Sequence, residues 1–335
     1  MNFILVGTSY KYAALGIREK LSFSKKDILV ALRRLIENGI VKGAVILSTC
    51  LRTEIYAQAE ETAFLKDFLL RFKEEALDRF KGCFYARVNE EAVTHLFTVA
   101  AGLDSQLIGE YEILHQIKDA FFLAKRFEAT TPLLNRIFER ALFVGREVRQ
   151  ESPIYKTDPS LAKAVVARAE QLKGSLVFAN IFIVGAGAIA EAIAHSCAEK
   201  GARCIMVANR TFIKAQELAK RIKGEVVRFE EFYERLDDID ILFSATASPH
   251  LILKKDMFEQ KKHLDKEMII FDLALPRDID PAIGISKNVR LFNLDDIGRN
   301  FSRSLNVEYA EQLIREKSER FSWRLGLASD PALLR

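Results

Sequence analysis

The chain has 335 residues, 49% hydrophobic and 29% charged, the mix of a soluble globular protein with room for two or three domains. A formal net charge of only +4 does not mark a dedicated polyanion binder, and four scattered cysteines without a C-x-x-C or Cys/His cluster predict neither a metal site nor a disulfide framework. The opening MNFILVGTSY has no basic n-region and no cleavage site, and no run of about 18 apolar residues occurs, so a cytoplasmic protein with no membrane contact is expected.

In chain order, FILVGTSY reads as a strand, SKKDILVALRRLIENG as a helix capped by Ser24 and ending at Gly39, AVILS as a second strand and TEIYAQA as a third. Thr49, Cys50, Leu51 and Arg52 fall between the last two, beyond a strand's C-terminal end, where α/β folds commonly carry functional groups. Residues 61–150 read as mostly helical. In NEEAVTHLFTVAAGLDS, Asn89 is the expected N-cap and Val93, Leu96, Phe97 and Ala100 form an apolar stripe. His95 lies about 160° from the centre of that stripe, off the core face. In LLNRIFERALFVGREVRQES the apolar face is Leu134, Ile137, Ala141, Val144 and Val148. Arg136 and Arg140 lie away from it, and Arg146 and Arg149 flank it. This basic face suits either RNA phosphates or plain solvent.

SPIYKTDPS, with two prolines, is the predicted domain junction. Residues 160–295 alternate strand and helix (NIFIVG, RCIMVA, DILFSA, MIIFDLAL, VRLFNL), the pattern of a parallel sheet with crossover helices. One long helix follows from about residue 297. The expected fold is therefore α/β: an N-terminal α/β catalytic domain over 1–155, a Rossmann-like domain over 156–296, and a long C-terminal helix over 297–335.

IFIVGAGAIAEAIA sets Gly185, Gly187 and Ala190 as G-x-G-x-x-A directly after a strand and opening a helix. The first glycine permits the tight turn, and the second lets a pyrophosphate approach the helix N-terminal amides. The next strand ends in Asn209-Arg210-Thr211, where an NAD enzyme usually carries an acid for the ribose 2′-hydroxyl. A guanidinium instead suits a 2′-phosphate, so NADPH is the expected cofactor. Ser244 and Thr246, after DILF, are expected near it, and Asp272 to Pro276 form a weaker candidate segment. Cys50 reads in two ways: an inert buried thiol, or a nucleophile whose pKa Arg52 lowers.

At these residues the chain resembles the glutamyl-tRNA reductases. STCLRTEIY is similar to that family's cysteine signature and HLFTVAAGLDSQLIGEYEILHQIKDAF to its second; VGAGAIAE, VANRT, SATASP and FDLALPRDIDP match its nucleotide-domain segments in order. Leu51 stands where the family has asparagine, and Tyr111-Glu112 where it has proline-glutamine. The resemblance implies NADPH-dependent reduction of glutamyl-tRNA(Glu) to glutamate-1-semialdehyde through a Cys50 thioester, the first committed step of five-carbon tetrapyrrole synthesis. It implies Arg52 on the substrate carboxylate, Thr49 lining the glutamate pocket, Ser105 contacting substrate, and His95 in acid–base or orienting work. Glu110 falls in the matching Gly-Glu pair. Implied partners are the tRNA, glutamate-1-semialdehyde aminotransferase for the product, and a second copy through a C-terminal dimerisation domain. This sequence stops soon after Trp323, which leaves monomer and homodimer both open. Two other readings are a shikimate dehydrogenase-like NADPH oxidoreductase, which needs no thiol, and a non-catalytic paralogue that binds tRNA, tetrapyrrole or an assembly partner.

Overall fold

The computed structural model describes residues 1–75, 80, 82–106, 108–110, 112–152, 161–260, 266–298 and 307–328. Tyr111 and the junction from residue 153 to 160 lie outside them. The chain forms two compact units, Met1–Pro159 with Ser302–Arg335, and Ser160–Phe301.

The first unit runs β1 (Asn2–Ser9), α1 (Leu15–Leu21), α2 (Lys25–Glu37), β2 (Gly43–Ser48), β3 (Arg52–Ala59), α3 (Thr62–Phe72), β4 (Tyr85–Val88), α4 (Glu90–Ala101), α5 (Glu112–Arg126) and α6 (Pro132–Glu151). Its sheet is antiparallel, in the order β2-β3-β1-β4, with Ser9 opposite Arg52 and Gly7 opposite Glu54. β3 is an inner strand, and Arg52 through Ala57 are all buried. Arg52 thus opens a strand rather than sitting on the loop, which narrows to Thr49–Leu51.

α2 starts at a capping box. Ser24 Oγ accepts from Asp27 N at 3.2 Å, and Asp27 Oδ2 accepts from Ser24 N at 3.0 Å. Such a cap is worth about 1 kcal/mol. Asn89 does not cap α4 as expected: it stands at the N-cap position with φ +52°, but its Oδ1 accepts from Phe3 N at 3.0 Å. The amide side chain is spent tying α4 to β1. The α1 and β4 segments escaped the sequence pattern because seven and four residues carry little periodic signal.

The second unit runs α7 (Leu161–Lys173), β5 (Asn180–Val184), α8 (Ala188–Glu199), β6 (Cys204–Ala208), α9 (Phe212–Ile222), β7 (Glu225–Val226), β8 (Ile241–Ser244), α10 (Lys255–Glu259), β9 (Met268–Asp272), β10 (Val289–Asn293) and α11 (Leu294–Gly298). Its strands are all parallel, in the order β10-β9-β8-β5-β6-β7. Strand order reverses at β5, so the crevice at the C-terminal ends of β5 and β8 is a topological switch point.

The last helix, α12, spans Glu308–Arg324, and belongs to the first unit. The long C-terminal helix expected from about residue 297 is described from Glu308, and residues 299–306 lie outside the described set. Ala310 and Ile314 enter the first unit's core, the Phe321 ring lies 5.8 Å from Phe97, and Thr94 Oγ1 donates to Ser318 Oγ at 2.9 Å. Among the described residues, no helix is long and apolar enough to cross a membrane.

Candidate active site

The turn between β2 and β3 is fixed locally. Thr49 Oγ1 accepts from Leu51 N and Arg52 N, both at 3.2 Å, and Thr49 N donates to Arg52 O at 2.8 Å. Arg18, buried on α1, donates from Nε to the Cys50 carbonyl at 3.3 Å and from Nη1 to the Ala13 carbonyl at 3.0 Å. Cys50 is held at the tip of this turn and keeps some solvent exposure.

β3 places Arg52, Glu54 and Tyr56 on one face, two residues apart. Arg52 Nη1 lies 2.9 Å from Glu54 Oε1 and 3.0 Å from Asp104 Oδ2, and Nη2 donates to the Asp104 carbonyl. Tyr56 OH donates to Glu54 Oε2 at 2.6 Å, Tyr85 OH donates to Oε1, and His95 Nε2 stands 2.8 Å from Oε1. Lys11 pairs with Asp104 from the solvent side. Burial alone would raise the Glu54 carboxyl, but Arg52 and His95 outweigh it and hold the group well below the usual carboxylate range. Burial also opposes ionisation of Asp104, and there Arg52 and Lys11 prevail. A carboxylate only accepts hydrogen bonds, so the His95 Nε2 facing Glu54 carries a hydrogen. In the neutral ring this leaves Nδ1 as the nitrogen able to take a proton. The His95 ring packs 5.4 Å from that of Tyr85, off the α4 core stripe, as the helical wheel predicted.

Arg52 does act to lower the Cys50 thiol's pKa, as the nucleophile reading has it, and Arg18 helps, but burial first and Glu110 second outweigh them and push the thiol up to about 12. The physical reason is that Arg52 is already neutralised by Glu54 and Asp104. His95, implied by the resemblance for acid–base or orienting work, is bonded to Glu54. Glu110 accepts from Ser105 Oγ at 2.6 Å, and its carboxyl is itself raised by burial. Its backbone is pinned by Arg149, whose Nη2 donates to the Glu110 carbonyl at 2.5 Å and whose Nη1 donates to the Gly145 carbonyl at 3.0 Å. Arg149 is therefore a buried brace and not part of a basic surface. Gly102, the left-handed C-cap of α4 at φ +74°, lets it pass, since a Cβ there would stand 2.7 Å from Arg149 Nη2.

Glu110→Gln is expected to lower the Cys50 thiol's pKa, because it deletes a negative charge that raises it. The pH midpoint for iodoacetamide alkylation of Cys50, followed on its own peptide by mass spectrometry, then moves down. A midpoint that stays put or rises refutes this account of the thiol.

In the second unit, Gly185 has φ +123°, and a Cβ there would lie 2.4 Å from the Ala245 carbonyl oxygen, so only glycine fits the turn after β5. Gly187 faces open space, with nothing within 4 Å of a built Cβ, and it N-caps α8 with no side-chain cap. Free amides and an open approach fit a dinucleotide pyrophosphate. Ala190 is fully buried under this turn. Arg210 is exposed and reaches Ser248 Oγ at 3.4 Å, Asn209 Nδ2 donates to the Thr211 carbonyl at 3.1 Å, and Thr211 opens α9 with no side-chain cap. Ser244 and Thr246 are tied to a buried acid that sequence reasoning passed over. Ser244 Oγ donates to Asp278 Oδ2 at 2.7 Å and Thr246 Oγ1 to Asp278 Oδ1 at 2.6 Å. Asp272 ends β9 as its cap, accepting from Ile279 N at 3.0 Å and Ala274 N at 3.2 Å, and burial raises it to about 7.

The family model described as Glutamyl-tRNA(Glu) reductase, N-terminal domain, matches residues 6–152, and that for shikimate / quinate 5-dehydrogenase matches residues 167–299. A glutamyl-tRNA reductase of Pelotomaculum thermopropionicum is 35% identical over 98% of this chain and 76% of its own length. That of Geobacter sulfurreducens is 35% identical over 100% of this chain and 80% of its own. The chain belongs to the glutamyl-tRNA reductase family. The solved glutamyl-tRNA reductase of Methanopyrus kandleri is 31% identical, covers 96% of this chain and 80% of its own, and superposes with a TM-score of 0.53. The shikimate dehydrogenase match is confined to the second unit, so it describes this reductase's nucleotide-binding sheet and not the whole chain.

Sequence reasoning quoted Glu54 inside STCLRTEIY but gave it no role, and it missed Arg18, Lys11, Tyr85 and Asp104. For Glu54 a signal existed: two charges at i and i+2 in an otherwise apolar strand share a face and must be paired there. For the others none did, because they come from distant segments.

Proposed function

We propose that this protein accepts the glutamyl group of glutamyl-tRNA(Glu) on Cys50 as a thioester and yields glutamate-1-semialdehyde, using NADPH. The observation that carries the reading is a cysteine at the tip of the β2–β3 turn, two residues before Arg52, whose acid anchor Glu54 also holds His95, in a chain of this family. The thiolate sulfur bonds to the ester carbonyl carbon, the carbon–oxygen bond to the ribose breaks, and the ribose oxygen takes a proton. Forming the covalent adduct turns one hard step into two easier ones.

Arg52 keeps its Nε hydrogen for the substrate: the buried Nε has no partner, while Nη1 bonds Glu54 and Asp104 and Nη2 bonds the Asp104 carbonyl. That donor suits the substrate's side-chain carboxylate. Glu110, held by Ser105, suits its α-ammonium. A cation there offsets the part of the Cys50 shift that Glu110 causes, so the substrate itself moves the thiol toward the thiolate. His95, oriented by Glu54 through Nε2, has Nδ1 available to carry a proton. Thr49 shapes the turn. In the second unit, Gly185, Gly187 and Ala190 form the pyrophosphate seat, and Arg210, with Asn209 and Thr211, fits a 2′-phosphate. Ser244 and Thr246 support the crevice through Asp278. When bound, NADPH supplies the reducing hydride. The product, a reactive aldehyde, calls for direct transfer to an aminotransferase in the same cytoplasmic compartment.

The test is trapping. Protein given glutamyl-tRNA(Glu) without NADPH should carry one glutamyl group on the Cys50 peptide, and NADPH should then release semialdehyde from it faster than NADH does. A folded, NADPH-binding protein that never acquires the adduct supports the non-catalytic reading instead.

A further inference from the structure

α6 and α12 enclose a cleft of about 710 Å³ within the first unit. Two arginines one turn apart on α6, Arg136 and Arg140, face two more one turn apart on α12, Arg320 and Arg324. Among the described residues none of the four makes an ion pair. Lys317 also lines the cleft, but α6 already neutralises it: its Nζ is 3.0 Å from Glu147 and 3.8 Å from Glu151. Glu316 also lines the cleft, and its Oε1 accepts from Gln312 Nε2 at 2.9 Å. The whole chain has a net charge of only +4, so four unpaired guanidinium groups on one cleft are a concentration and not a general surface property.

Like charges one turn apart weaken a helix by a few tenths of a kcal/mol per pair. Here two such pairs also face each other across the cleft. An arrangement that repels itself in isolation becomes favourable against a ligand with several negative charges. Arg140 adds a second feature: its guanidinium lies 4.9 Å from the ring centroid of Phe143, which is 48% exposed, giving a flat cationic and aromatic edge of the kind that accepts sugar–phosphate and base surfaces. The four guanidinium groups are spread over a turn of each helix, so the cleft fits a strand better than a compact anion.

We infer that the α6–α12 cleft holds the sugar–phosphate backbone of the tRNA substrate. This rests on the reading of the substrate as an aminoacylated tRNA. It returns Arg136 and Arg140 to the role that the sequence left open, removes Arg149 from it, and adds Arg320 and Arg324, which no pattern in α12 had marked. The contact reads phosphates and not bases, so it supplies affinity without discriminating among tRNAs.

The test measures binding of uncharged tRNA(Glu) transcript to the full chain across a salt series. The variants are R136Q/R140Q, R320Q/R324Q, their combination, and R315Q on the exposed side of α12 as a control. Each lost phosphate contact should reduce the slope of log affinity against log salt by about 1, so the quadruple variant should lose about 3 to 4 in slope and at least about tenfold in affinity. The loss should be equal for a non-cognate tRNA, and R315Q should bind as the parent does. A quadruple variant with parental affinity and slope overturns the inference, and so does R315Q weakened as much as either double variant. If the parent forms the Cys50 adduct while the arginines prove irrelevant, the function stands and the cleft falls. If binding depends on the arginines but Cys50 never gains glutamate, the cleft stands and the function falls.

Discussion

Cys50→Ser is expected to lower turnover at least about ten-thousandfold and to leave no glutamyl group on the protein. The oxygen isostere fits the same tip of the β2–β3 turn, whose shape is set by backbone bonds and by Thr49 and Arg18 rather than by the sulfur. Folding and cofactor binding should therefore be unchanged. The chemistry should not survive. Already the thiol is pushed up to about 12 by burial and by Glu110, and a hydroxyl ionises far less readily in the same field. Serine also has no hydrogen-bonded base to deprotonate it, because His95 is engaged by Glu54. Single-turnover assay with glutamyl-tRNA(Glu), with circular dichroism as the folding control, decides the matter. Semialdehyde formation within tenfold of the parent by a folded Cys50→Ser protein would remove the thioester from the mechanism.

Glu54→Gln is expected to destabilise the first unit by about 3–5 kcal/mol at neutral pH. The carboxylate is fully buried and accepts from Arg52, Tyr56, Tyr85 and His95 together. A glutamine keeps one acceptor, sets an amide donor against those donors, and leaves Arg52 with only Asp104 as its anion. The sign of the pH dependence follows from the depressed carboxyl. Its stabilisation is complete above the unfolded-state pKa of about 4.3, and it is lost as pH falls toward the lower folded value. The gap between parent and variant in urea melts should therefore be widest near neutrality and close progressively below about pH 4. Equal midpoints at pH 7 would mean the acid is not the anchor proposed here. Activity should fall as well, since His95 loses the acceptor that fixes its Nε2 hydrogen.

These two residues sit four apart in one strand-turn segment, yet only one stands out in the letters, and the signal for the other is a charge pair at i and i+2. Cys50 stood out by residue type and by the resemblance of STCLRTEIY to a known signature. Glu54, in the same nine letters, looked like one more strand residue until β3 proved to be an inner strand with both neighbours paired. Arg52 shows the reverse case. It does act to lower the thiol's pKa, but its partners from β3 and from the segment after α4 leave that effect smaller than burial and Glu110. In the second unit the same holds for Ser244 and Thr246, placed correctly at the end of β8 but turned toward Asp278, thirty-odd residues on.

By itself, the sequence determined what local periodicity and short motifs encode. These are the alternation of strands and helices over residues 160–295, the capped α2, the α6 core stripe, the glycine turn at Gly185, and the cysteine on its turn. Such features depend on neighbours three or four residues away, which the chain carries with it. Only the tertiary structure decided the charge state of Cys50, the hub at Glu54, the burial of Arg149 and the meeting of arginines from α6 and α12. Each depends on a field or a hydrogen bond between segments distant in sequence, and electrostatic energy follows separation in space, which no one-dimensional pattern records.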